Sequence, residues 1–251
     1  MPGSVITLDR AVEIARTGDI WVFRGTSGAD RAIRGLTNAP VNHVGMAVVV
    51  DDLPPLMWHA ELGRSLPDMW TGQHQRGVQL HDLRDAVLQW GRRYGQRGWL
   101  RQLDGPGPDG GVTREHEDAL LRTVARLDGT PFPSTAALAT RWLRGRLPAL
   151  PRQRGDEQPE AAALETAYCA EVVAVTYEEM GLIPRRHRPS WYDPGRFWSG
   201  DDLDLAPGFR LGGEIEVALP PEPGAEPMPL EHRRTRRERV RDRLPRIPAR
   251  R

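Results

Sequence analysis

Three short segments of the chain contain the side chains that can do chemistry. The first begins at His43 and continues as the apolar run Val44 to Val50, so an imidazole stands at the start of a strand. The second places Cys169 early in a predicted helix. The third places His59 and Glu61 two residues apart, where a strand turns both side chains to one face. Together the segments supply a nucleophile, a base and a residue that can orient the base.

The chemistry of such a set is acyl transfer. A thiolate on Cys169, paired with an imidazolium on His43, would attack a carbonyl carbon, and His43 would then protonate the leaving group. Either His59 or Glu61 would hold the His43 ring in the required orientation. Because the N-terminal end of a helix favours anions, this position predicts a lowered pKa for the thiol and backbone N–H groups that hold an oxyanion.

The hydrophobic pattern predicts the elements that position these groups. Ile20 to Phe23 is an apolar run typical of a buried strand, and Val44 to Val50 predicts a second strand. Leu56 to Leu62 predicts a third strand, which returns beside the second after a turn at Asp51 to Pro55. Helices are predicted at residues 8–16, 82–94, 116–126, 135–147 and 161–180, and a last strand at residues 214–219.

Composition excludes several classes of protein. Hydrophobic residues make up 39% of the 251 residues and charged residues 27%, which is ordinary for a globular protein. The single cysteine excludes an intrachain disulfide and a multi-cysteine zinc site. All the basic residues are arginines, which excludes a lysine nucleophile. No apolar run approaches the roughly 18 residues of a membrane span, and the first residues do not resemble a secretory signal, so we expect a cytoplasmic protein.

The chain is expected to form one principal domain over residues 1–219, with a loop-rich insertion near residues 63–111. Residues 220–251 are rich in proline and arginine and predict a disordered or surface-wrapping tail. From Glu231 to Arg251 there are ten arginines against three acidic residues. This surplus of positive charge indicates an acidic partner as one role for the tail, beside that of a solvated extension.

The chemical segments also resemble a known superfamily. His43-Val44-Gly45-Met46 and Trp58-His59-Ala60 are similar to two strands of the NlpC/P60 family. Cys169 follows those strands instead of preceding them, which is the order of the circularly permuted papain-like branch, with its YiiX-like and lecithin:retinol acyltransferase-like proteins. The opening Gly18-Asp19-Ile20-Trp21-Val22-Phe23-Arg24 and the helical Tyr168-Cys169-Ala170-Glu171-Val172-Val173 resemble further segments of permuted members.

This resemblance implies an α+β, circularly permuted papain-like fold, with a small antiparallel sheet packed against the cysteine-bearing helix. It implies a cysteine-dependent hydrolase of amidase or peptidase type, with Cys169 and His43 as catalytic residues. The NlpC/P60 pattern assigns the third position to His59 and the YiiX-like pattern assigns it to Glu61. We favour His59, with Glu61 as the alternate, and expect no cofactor and no metal ion.

Two other functions stay open at this stage. One is a lipid acyltransferase or thioesterase, so the substrate is a peptide, an amide or a lipid ester. The other is a non-catalytic binding module that keeps the fold. A metal site built from His43, His59 and an acidic residue is disfavoured because no short-range histidine pair is present. The remaining histidines are interpreted as surface residues: His74, His81, His116, His187 and His232.

Overall fold

The computed structural model describes six stretches of the chain, namely residues 4–25, 40–50, 52–61, 66–131, 169–199 and 203–222. The chain divides into one unit at Met1–Leu219 and a second at Pro220–Arg251. The predictions for the basic tail and for the helix at residues 135–147 fall outside the described residues. None of the helices in the described stretches combines the length and the apolar character needed to cross a bilayer.

A seven-stranded sheet forms the centre of the unit at residues 1–219, in the order β1-β9-β6-β2-β3-β4-β5. The β1 and β9 strands pair in parallel and the other neighbours are antiparallel, so the sheet is mixed, where the sequence predicted a small antiparallel one. The α+β class is as expected. The strands are β1 Val5–Thr7, β2 Ile20–Arg24, β3 His43–Val48, β4 Leu56–Glu61, β5 Gly77–Asp82, β6 Arg97–Arg101 and β9 Ile215–Ala218, while β7 Leu103–Asp104 pairs with β8 Arg210–Leu211 in a separate ribbon.

Four α-helices flank the sheet in the described residues, and their ends follow from their sequences. Thr7 caps the first helix by accepting the N–H of Arg10, and Asp82 caps the second by accepting the N–H of Asp85. Thr113 begins the third helix with a capping box. The helices are α1 Leu8–Glu13, α2 Leu83–Arg92, α3 Arg114–Leu127 and α4 Cys169–Glu179.

Alternate residues of the central strands pack into two separate cores. The core beneath α4 contains residues such as Val44, Met46, Trp58, Val172 and Cys169. The core beneath α1 and α2 contains residues such as Trp21, Phe23, Ala47, Met57 and Trp90. Because side chains alternate along a strand, His43 shares the second face with Ala47, and His59 shares it with Met57.

Within the predicted loop-rich insertion near residues 63–111, Gly77–Asp82 and Arg97–Arg101 form two of the seven strands of the sheet. The β5 strand forms one edge, and β6 pairs with β2 on one side and β9 on the other. The sequence conceals β6, which begins and ends with arginine and contains Gly98, whereas the short alternation of apolar and polar residues in β5 is a weak signal for a strand. This region is therefore part of the scaffold that positions the site.

One hydrogen bond ties α4 to the sheet. The indole N–H of Trp58 on β4 donates to Thr176 Oγ1 at 3.0 Å, and that hydroxyl donates to the backbone oxygen of Val172 at 2.7 Å. Both Trp58 and Thr176 are fully buried. The helix that begins at Cys169 is held in position on β4 by this contact as well as by apolar packing.

Replacing this hydroxyl with a methyl group tests the contact. In Thr176→Val the buried indole N–H loses its acceptor, so we expect the free energy of unfolding to fall by about 1–3 kcal/mol in urea titrations. Thr123→Val is the matched control, because the buried Thr123 hydroxyl donates only to Ala119 within its own helix. An equal loss in both variants would show that the bond between α4 and β4 adds nothing.

A buried carboxyl group fixes the start of β2. Asp19 accepts the backbone N–H of Arg16 at 2.9 Å and that of Leu103 at 2.8 Å. Burial raises the pKa of Asp19 from 3.8 to about 7, although the two N–H groups and the charge of Arg16 lower it. The folded protein therefore binds a proton here over a range of pH in which the unfolded chain has released it.

This shift makes stability depend on pH. Because the folded pKa lies above the unfolded one, the contribution of Asp19 to the free energy of unfolding decreases between about pH 4 and pH 7, by on the order of a few kcal/mol, and is constant above. Asp19→Asn has no such titration. As the pH rises over that range, we therefore expect the free energy of unfolding of the wild type to decrease relative to that of Asp19→Asn. Urea titrations at several pH values measure it, and a constant difference would contradict the raised pKa.

Candidate active site

His43 is the first residue of β3, opposite Phe23 on β2. Its ring stacks on Trp90 of α2, with ring centroids 3.7 Å apart and planes 21° apart. The side chain is 5% exposed. The imidazole thus lies between the β-sheet and the indole of Trp90, where it is shielded from water.

A chain of hydrogen bonds crosses three neighbouring strands from this ring. His43 Nε2 lies 3.1 Å from His59 Nδ1, and His59 Nε2 lies 2.9 Å from His81 Nδ1. His81 Nε2 lies 3.1 Å from Gln79 Oε1. The side-chain nitrogen of Gln79 donates to the backbone oxygen of Gly77 at 3.3 Å, which directs Oε1 towards His81. We call His43, His59, His81 and Gln79 the histidine chain.

Burial keeps all three imidazoles neutral at pH 7. It lowers the pKa of His43 from 6.5 to about 3. Burial and its two histidine neighbours lower the pKa of His59 well below 6.5. Burial also lowers the pKa of His81 to about 4, against the opposing effects of the Asp68 carboxylate and the Leu66 backbone. Each ring therefore has one N–H donor and one nitrogen that accepts.

The neutral rings and the Gln79 amide set the direction of every bond in the histidine chain. Because Gln79 Oε1 only accepts, His81 has its proton on Nε2 and accepts at Nδ1. His59 then donates from Nε2 and accepts at Nδ1, where His43 Nε2 donates. It follows that Nδ1 of His43 is unprotonated and is the basic nitrogen of that ring.

A glycine on β3 permits this close contact between strands. A Cβ atom at Gly45 would lie 2.4 Å from Met57 Sδ and 3.3 Å from His59 Cβ. These two side chains of β4 therefore occupy the space beside β3 that any other residue would fill. Gly45 does no chemistry, but it makes room for His59 at the hydrogen-bonding distance from His43.

Cys169 is the first described residue of α4 and packs in the core beneath that helix, 2% exposed. The backbone N–H groups of Val44 and Ala170 favour the thiolate, so the sulfur is beside the strand that begins at His43. Burial outweighs these groups and raises the pKa of the thiol from 9.0 to about 12. The lowered pKa expected at a helix N-terminus is not found, because the desolvation of the sulfur is the larger effect.

The structure thus brings together His43 and His59, while Cys169 is adjacent to β3 without a hydrogen bond to His43. Among the described residues, no hydrogen bond joins the Cys169 sulfur to the His43 ring. The ring stacks in the core beneath α2, and the sulfur packs in the core beneath α4. Instead of the expected thiolate–imidazolium pair, the structure has a neutral Cys169 thiol and a neutral His43 ring on opposite sides of β3.

Glu61, the alternate third residue, ends β4 and is 5% exposed. Its carboxylate and one ring nitrogen each of His59 and His81 all lie within 4.8 Å of one another. These three side chains are the described residues with the donor atoms and spacing to hold a metal ion.

Sequence reasoning missed His81 and Gln79. His81 was interpreted as a surface residue, and it is fully buried, as is Gln79. The alternation of Val78 and Leu80 with these two polar residues was the available signal, because it predicts a strand with Gln79 and His81 on one face. By contrast, His74 and His187 are exposed, as expected.

No family model and no curated protein matches this chain. Among solved structures it is similar to the crystal structure of metalloprotein yiiX from Escherichia coli O157:H7, DUF1105. The two share 20% sequence identity with a TM-score of 0.42, and the match covers 66% of each chain, slightly less than two thirds of the length of that protein. At this identity the likeness concerns the fold alone.

The thiol is expected to react slowly in the folded protein. With a pKa of about 12, the thiolate fraction of Cys169 is very small at pH 7 and increases up to that pKa. We expect the rate of alkylation by iodoacetamide at neutral pH to be far below that of the same chain unfolded in urea, as measured by mass spectrometry over time. A folded rate above that of the unfolded chain would show that a thiolate is already present.

Proposed function

We propose that this protein is a cysteine-dependent hydrolase of amidase or peptidase type, with Cys169 as nucleophile, His43 as base and His59 as the residue that positions the base. The histidine chain is the observation on which the proposal depends. Its bonds leave the unprotonated Nδ1 on His43, and the N–H of the next residue, Val44, is beside the Cys169 sulfur. The residue that follows the proposed base in the chain therefore contacts the proposed nucleophile through its backbone N–H group.

The proton must move during the attack, because both groups are neutral beforehand. The attack requires the His43 ring and the Cys169 sulfur, which face opposite sides of β3, to come within hydrogen-bonding distance. As the sulfur then bonds to the carbonyl carbon, its proton passes to His43 Nδ1 and the carbonyl electron pair moves to oxygen. The N–H groups of Val44 and Ala170 are the donors beside the sulfur that can hold this oxyanion. When the oxyanion collapses, the bond to the leaving group breaks, and His43 returns the proton to it. Water then hydrolyses the thioester.

The arrangement supports His59 over Glu61 for the third role. His59 Nδ1 accepts the proton of His43 Nε2 at 3.1 Å, which holds the ring with Nδ1 free to act as base. The acceptor is itself a neutral ring, so it orients His43 without compensating the charge that His43 gains during the reaction. Substrates of the proposed enzyme are peptides, amides or lipid esters.

The second candidate is a non-catalytic binding module that keeps the fold. The observation that favours it is the burial of Cys169, which gives an inert thiol in the absence of a substrate. The two candidates differ in whether the sulfur forms a thioester with an activated acyl donor.

Acylation with p-nitrophenyl acetate separates these candidates. We expect the wild type to release nitrophenol and to gain the mass of one acetyl group on the peptide containing Cys169. Cys169→Ser should abolish the thioester, and His43→Gln should slow its formation by about 10²–10⁴-fold, the range typical of a general base. His187→Ala, which changes an exposed histidine, is the control and should react like the wild type.

Two results would favour the binding module. In one, the folded wild type gains no acetyl group on the peptide containing Cys169. In the other, acetyl groups accumulate equally in Cys169→Ser. If the thioester forms, its decay in water or its transfer to an added amine or alcohol distinguishes hydrolysis from acyl transfer.

A further inference from the structure

We propose that His59, Glu61 and His81 form a binding site for a divalent transition-metal ion such as zinc. The site lies within the proposed catalytic arrangement but goes beyond it, because no step of the hydrolysis uses Glu61 or a metal ion. Metal binding at these residues does not depend on the enzyme being a hydrolase.

The backbone brings the three donors together from two strands. His59 and Glu61 are two residues apart on β4 and therefore share a face of the sheet. On β5, His81 lies opposite Met57 and Gln79 lies opposite His59, which places His81 diagonally from His59 on that face. The pair of histidines is formed across strands, so a search for short-range histidine pairs in the sequence does not find it.

The distances suit a small ion. Zinc bonds of about 2.0–2.1 Å in a tetrahedral arrangement separate neighbouring donor atoms by roughly 3.3 Å. His59 Nε2 and His81 Nδ1 are 2.9 Å apart, so the two rings need to separate by only a few tenths of an ångström. A Glu61 carboxylate oxygen and one ring nitrogen of each histidine lie within 4.8 Å of one another, so Glu61 completes a set of three ligands with one position left for a further ligand.

The chemistry of the donors also favours such an ion. Two imidazoles and one carboxylate suit zinc and its neighbours in the first transition row, whereas calcium and magnesium require oxygen ligands. His59, His81 and Glu61 are all buried, so bulk water would not compete with these ligands for an ion. His81 also donates from Nε2 to Gln79, the type of outer hydrogen bond that orients a metal-bound histidine.

Occupation of the site would redirect the histidine chain. Metal bonded to His59 Nε2 displaces the proton there, so His59 must hold its proton on Nδ1 and donate to His43 Nε2. His43 then holds its proton on Nδ1, the nitrogen proposed as the base. The three rings keep three protons in total, but the base is blocked. This consequence, unlike metal binding itself, rests on the proposed hydrolase function.

Cobalt(II) is the probe for the site, because its visible absorption reports coordination directly. We expect the wild type, freed of metal by a chelator, to bind one Co²⁺ with visible bands that disappear when Zn²⁺ displaces it. His59→Gln, His81→Gln and Glu61→Gln should each weaken binding by more than about tenfold. His187→Ala and Cys169→Ser should leave the spectrum unchanged, and circular dichroism checks that each variant is folded.

A measurement on the wild type alone keeps the proposal falsifiable if the variants do not fold. In nuclear magnetic resonance spectra, Zn²⁺ should shift the ring nitrogens of His59 and His81 and leave those of His187 in place. Failure to bind one ion, binding that survives in His59→Gln, or shifts confined to exposed histidines would each overturn the proposal. In the acylation assay, Zn²⁺ should suppress formation of the thioester. Acylation without metal binding would overturn the metal site alone, and metal binding without acylation would overturn the hydrolase alone.

Discussion

The hydrogen bond between His81 Nε2 and Gln79 Oε1 determines the state of the whole site. It fixes the proton of His81 on Nε2. Because each ring is neutral and has one N–H, the proton position on His81 determines the one on His59, and that in turn determines the one on His43. The acceptor of this bond lies on β5 and the ring it finally controls lies on β3. A buried amide on β5 therefore decides which nitrogen of His43 is basic.

Burial is the physical condition that makes this control work. In water, imidazoles titrate near neutral pH, and a protonated ring donates from both nitrogens, which would break the one-way order of the chain. The two core layers and the stacked Trp90 remove the rings from water and keep them neutral. The same burial holds the proton on Cys169, so a single property of the fold both orders the imidazoles and keeps the thiol protonated.

The sequence predicts the parts of this fold that have simple periodicity. The strands that became β2, β3 and β4 are confirmed within one or two residues, as is the antiparallel pairing of β3 with β4. It predicts His43 and His59 on the same side of two neighbouring strands, because a hairpin and the alternation of side chains suffice for that. It does not predict β6, because arginines and a glycine interrupt its apolar pattern, nor β5, because only two apolar residues alternate there. It also does not predict the burial of His81, which depends on β5. The raised pKa of the Cys169 thiol also escapes sequence reasoning, because desolvation depends on packing from distant segments.

The order of strands places the first and the last of them together at one edge of the sheet, with β1 paired to β9, while the histidines occupy the strands towards the other edge. Four strand spacings of about 4.8 Å, or roughly 19 Å, separate β1 from β3. A fluorophore, an affinity tag or a surface linker attached before residue 4 would therefore join the scaffold far from the imidazoles. The molecule can be labelled or immobilised at that edge without disturbing the histidine chain on β3, β4 and β5.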